Sequence, residues 1–88
     1  MNATDRKALG KLMLTCESLS LAVEEAMQAV QEHQEDEQEK FDNLSEGLQQ
    51  AERGQALQEA ADSLQEVADT LQEAVDALNT ATTNLGEF

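Results

Sequence analysis

Residues 57–85 read LQEAADSLQEVADTLQEAVDALNTATTNL. Leu57, Leu64, Leu71, Leu78 and Leu85 fall seven residues apart. A leucine spacing of that period, held over several turns, is the mark of a helix packed lengthwise against another helix. Three and four positions after the leucines come small residues, as in Ala60 and Ala61, Val67 and Ala68, Ala74 and Val75. Small side chains there permit close helix approach. A second pattern rides on the same stretch. Glu59, Asp62, Glu66, Asp69, Glu73 and Asp76 are spaced 3, 4, 3, 4 and 3. That spacing lines the carboxylates along one side of the helix, away from the leucines.

Upstream, Leu9, Leu12, Cys16, Leu19, Val23, Ala26, Val30 and His33 repeat the 3–4 alternation and predict a matching seam on a first helix. Met13, Leu14, Leu21, Ala22, Met27 and Ala29 widen its apolar face, which suggests contact with more than one helix. Asn2 or Thr4 can cap this helix, with Asp5 favoured in its first turn. After Val30 the chain reads QEHQEDEQEK, a solvated continuation to about residue 38. Residues 39–53 are expected as the connection. Asp42-Asn43 is turn chemistry, and Ser45 followed by Glu46 can open a new helical turn. Leu48 does not fit the later heptad, so the register slips near Gly54 by a kink or a short separate turn. The second helix is expected over about 54–85, ending near Gly86.

Composition supports an all-α reading. The chain has 88 residues, enough for one domain, with no Pro, Trp or Tyr. Its hydrophobic content of 40% is periodic, which argues against a disordered acidic tail. The expectation is an antiparallel two-helix hairpin, coiled-coil-like, in which spare apolar positions make two copies pair as a four-helix bundle. The plain alternative is a monomeric hairpin with leucines left exposed.

Charge sets the partner class. Nineteen acids against five Lys and Arg give a net charge of −14. Direct nucleic-acid binding and an anionic membrane surface are disfavoured, because both would repel the chain. A basic protein surface is the expected partner. One cysteine allows no internal disulfide, and the N-terminus shows neither a leader pattern nor a membrane span, so a reducing, cytoplasmic setting is expected.

The acidic line from Glu59 to Asp76 reads first as a solvated face. Against that, no Lys or Arg follows Arg53, so no i,i+4 cation offsets the repulsion. A face kept only for solubility normally mixes signs. Carboxylates recurring about every 5 Å along a helix approach the ~3.4 Å axial spacing of phosphates on one nucleic-acid strand. Glu32, Glu35, Asp36, Glu37 and Glu39 form a secondary acidic cluster near the connection. It lacks a calcium-loop pattern, and no metal or other cofactor is expected. His33 reads as a boundary residue and Cys16 as a small buried one, about 25 Å apart along the same helix. No nucleophile has a base beside it, so no enzyme activity is expected.

Residues 35–67 read EDEQEKFDNLSEGLQQAERGQALQEAADSLQEV. This segment resembles a group of small acidic helical proteins of bacteria and phages that carry a D-E-Q-E-x-[FY]-D-N-L-P-E-G-L-Q-x-S-E-R-G stretch followed by acidic heptads. The match runs through Asp36 to Glu39, Phe41 to Leu44, Glu46 to Gln49 and Glu52 to Gly54. Ser45 stands in place of the usual proline and Ala51 in place of the usual serine. The resemblance implies a bacterial or phage source and brings little function. The expected role is an acidic binding protein of phage or mobile-element type that blocks the nucleic-acid-binding surface of a host defence protein by charge mimicry. The alternative is a structural or adaptor coiled coil that binds through its apolar faces.

Overall fold

The computed structural model describes all 88 residues. The protein is all-α: α1 spans Ala3–Asp42, α2 Glu46–Gln50 and α3 Glu52–Gly86. The long helices lie side by side as a thin rod whose Cα extents are 68 × 14 × 13 Å. Asn2 caps α1, its Oδ1 accepting from the backbone N–H of Asp5 at 2.8 Å. At the other end α1 runs through Asp42, beyond the expected stop near residue 38. Nothing in residues 38–42 interrupts a helix, and Lys40 in the last turn favours the negative end of the dipole. The connection shrinks to Asn43–Ser45, α2 and Ala51.

The register slip takes the form of α2. Ser45 caps it, accepting from the N–H of Leu48 at 3.4 Å. Gln49 Nε2 then donates to the carbonyl of Phe41 at 3.1 Å, folding α2 back onto the end of α1. Gly54 is buried beneath α2, where an added Cβ would meet the carbonyl oxygens of Leu48 and, at 2.6 Å, Gln49. Hydrogen lets the two helices meet there, and no side chain would.

Two polar contacts fix the antiparallel register. Ser20 Oγ donates to Asn79 Oδ1 at 2.8 Å. Near the turn, Gln38 and Gln58 exchange amide hydrogen bonds of 3.2 and 3.1 Å. Each amide also donates to a carboxylate on its own helix, Gln38 to Asp42 at 3.0 Å and Gln58 to Asp62 at 2.9 Å. Both NH2 groups are thereby fully used.

The seam differs from the expected one. The buried positions of α3 are Gly54, Ala61, Ala68 and Val75, a line of small residues, while the five ladder leucines are only partly buried. Along α1, Leu9, Cys16, Val23 and Val30 face α3 as expected, but their companions are Met13, Ser20, Met27 and Gln34. Leu12 and Leu19, read as seam residues, are 53% and 49% exposed, and Ala26 and His33 are exposed with them. Both registers share the first line and keep a 3–4 spacing, so spacing cannot separate them. Packing does: the small line of α3 admits α1 closely, Met fills irregular gaps, and Ser20 finds Asn79. At 100° per residue the difference is a roll of α1 by about 50°.

That roll leaves one long side of the hairpin open. With Ser20–Asn79 and Gln38–Gln58 on one flank, helix periodicity puts Leu12, Leu19 and Ala26 of α1 on the other, beside Ala60, Val67, Ala74 and Ala81 of α3. Thr15, Ala22 and Ala29 flank the first row, and Ser63, Thr70 and Ala77 the second. From Ala8 to Gln34 in α1 and from Leu57 to Leu85 in α3, every charged residue falls outside this side.

Candidate functional site

The six acids of α3 stand in an unbroken row on exposed helix, turned about 150° from the side that meets α1. From Glu59 to Asp76 the row is about 26 Å long, at 1.5 Å per residue. Its members are not equivalent. Gln58, Gln65 and Gln72 each donate to the Asp four residues on, at 2.9, 3.0 and 3.1 Å to Asp62, Asp69 and Asp76. Glu59, Glu66 and Glu73 make no such bond. A neutral amide orients the aspartate without cancelling its charge. The row thus alternates a held carboxylate with a free one. The LQExxD repeat contains this clamp, since Gln and Asp four apart on a helix are neighbours, but the sequence reading passed over it.

No cation neutralises the row. The single ion pair in the structure joins Lys40 Nζ to Glu37 Oε1 at 2.9 Å, within α1. The hydrogen bond from Lys40 to Glu37, reinforced by the charges of Glu37 and Asp36, holds the Lys40 ammonium above the usual lysine range. Arg53, a possible partner for the α1 acids, makes no ion pair. Arg6, Lys7 and Lys11 sit at the opposite end of the rod from the turn.

In the secondary cluster, Glu32, Glu35, Asp36 and Glu39 are exposed and Glu37 is partly buried in its pair. The cluster lies at the turn end of α1, level with the beginning of the α3 row, as the Gln38–Gln58 pair requires. Nowhere do three or more His, Cys, Asp or Glu side chains converge as a metal would need. Cys16 is a free, partly buried thiol on the α3-facing side, and His33 is exposed on another face. No helix is long and apolar enough to cross a membrane.

A shallow open groove on α3 is lined by Ser63, Glu66, Val67, Thr70 and Leu71. Its lining joins Glu66 of the acidic row to Ser63, Val67 and Thr70 of the open side. Comparison of the chain with protein-family models, with curated proteins and with solved structures finds no match.

Proposed function

We propose that this protein is an acidic binding protein, not an enzyme, that presents the α3 carboxylates to a basic surface of another protein. The observation that carries this reading is the unpaired row itself. Six carboxylates at near-constant spacing face solvent on one helix, without one cation among them. The three aspartates held by neutral glutamines lose rotational freedom without having their charge cancelled. A site made this way loses less conformational entropy when a basic groove closes on it. The rod is thin enough to enter a nucleic-acid-binding groove, and its carboxylate spacing approaches that of phosphates. The proposed target is a nucleic-acid-binding protein, such as a host defence nuclease, in the cytoplasm. Two hairpins paired as a four-helix bundle would display two rows.

A second reading has its own observation. Leu14 and Leu21, 58% and 62% exposed on the other flank of α1, offer an apolar grip to a partner helix. One experiment separates the two. The protein is immobilised, bacterial lysate is passed over it, and the retained proteins are identified. On the mimicry reading, Glu66→Gln, Asp69→Asn and Glu73→Gln together abolish retention of a nucleic-acid-binding protein, and duplex DNA competes for it. Retention that survives those changes but fails with Leu14→Gln and Leu21→Gln replaces mimicry by the adaptor reading.

A further inference from the structure

We propose that a second copy of this chain covers the open apolar side of the hairpin, and that the copies meet about a two-fold axis running along the rod. This rests on the pairing of hairpins proposed above and is independent of what the acidic row binds. Four observations converge on it.

The first is the leucine ladder. In a finished hairpin the largest apolar residues should be the most buried, yet the buried line of α3 is Gly54, Ala61, Ala68 and Val75. The leucines sit one step round the helix, toward the open side, and remain partly exposed. No large side chain in the protein is fully buried. The hairpin therefore holds only the edge of its own core.

The second is charge. Two chains of net charge −14 repel wherever their acids face each other. The open side is the one long strip free of charge, about 100° around α3 from the acidic row. A basic partner gains nothing there and is drawn to the row instead. An uncharged strip on so acidic a rod suits a surface of like composition, and another copy of the chain supplies one.

Area is the third. The chain exposes 6276 Å². A compact monomer of its mass, 9.6 kDa, would expose about 5,100 Å². The excess, about 1,200 Å², is of the order of the ~800 Å² that each partner hides in a standard interface. An elongated rod accounts for excess surface, and pairing along its length removes it.

The fourth is shape, which sets the axis. On the open side α1 carries a ridge, Leu12 and Leu19, while Ala74 and Ala81 of α3 form a trough beside it. A two-fold axis along the rod lays each ridge over the other copy's trough and keeps residues at the same height. Ser20 is level with Asn79, so Leu19 meets the partner's Ala81 and Ala26 meets the partner's Ala74. An axis across the rod would stack ridge on ridge and trough on trough, leaving gaps that packed interiors do not hold. The ladder leucines then fill the centre of the bundle, and the two acidic rows stay outside.

The test uses Ala26→Glu at an exposed position and Ala74→Lys at a half-buried one, with the exposed Thr70→Glu as a third variant on the same side. Circular dichroism is expected to show full helicity for each. Sedimentation equilibrium is expected to give about 19 kDa for the unmodified protein, twice the 9.6 kDa chain, and the single-chain mass for each variant alone. Mixing Ala26→Glu with Ala74→Lys in equal amounts is expected to restore the dimer mass, because the new charges meet across the interface. A monomeric unmodified protein overturns the pairing. A dimer that Ala26→Glu or Thr70→Glu leaves intact overturns the face. A mixture that stays at the single-chain mass overturns the axis, and the proposal with it.

Discussion

Gly54 and Gly10 are both glycines inside long helices, and they should respond to alanine in opposite directions. At Gly10 an added Cβ meets nothing within 4 Å. Gly10→Ala therefore gains helix propensity without a clash, and a urea midpoint should show about 0.5–1 kcal/mol of added stability. At Gly54 the Cβ would meet the α2 backbone, which cannot rotate aside as a side chain can. Gly54→Ala should cost about 1–3 kcal/mol, a cost limited because the short α2 can detach from the end of the hairpin. A stabilised Gly54→Ala protein would show that α2 is not packed there. The sequence located a register break near Gly54 but read the glycine only as part of the slip. Its close contact with α2 depends on where the chain returns in space, which no local pattern encodes. The glutamine clamps were more accessible, because Gln58, Gln65 and Gln72 each precede an Asp by four residues.

At the scale of the helices, the heptads located both long elements and the short connection implied their antiparallel pairing, but neither gave the roll of α1. Two 3–4 registers share Leu9, Cys16, Val23 and Val30, and hydrophobicity favoured the one with Leu12 and Leu19 over the one with Met13 and Ser20. The hairpin takes the second, because Ala61 and Ala68 bring α3 close enough for it. A larger residue in that line should force the helices apart: Ala68→Leu is expected to cost about 1–3 kcal/mol in denaturant unfolding. A neutral result would place the closest approach elsewhere. The Gln38–Gln58 pair should behave as one unit. In a double-mutant cycle with alanine at both positions, a coupling of about 0.5–1.5 kcal/mol is expected, and independent effects would contradict the shared network. The six acids of the row all stand exposed on α3. What it binds depends on a surface outside this chain, and for that reason the sequence does not name it.

For the whole molecule, the segregation of charge and apolar surface gives salt two opposite effects. Raising salt from about 0.1 M to about 1 M shortens the screening length from ~10 Å to ~3 Å. Self-repulsion of the −14 chain then weakens, so the melting temperature should rise with salt. Capture of a basic partner by the acidic row should fall over the same range. Pairing of two acidic hairpins through an uncharged side should tighten. Opposite responses of capture and pairing would locate them on different surfaces, whereas a common response would place both on one. The most direct measurement is sedimentation equilibrium of the unmodified protein across that salt range. A mass of about 19 kDa, twice the 9.6 kDa chain, is expected, with dissociation shifting to lower protein concentration as salt rises. A mass of 9.6 kDa at every concentration and salt, or a dimer that salt dissolves, would contradict it.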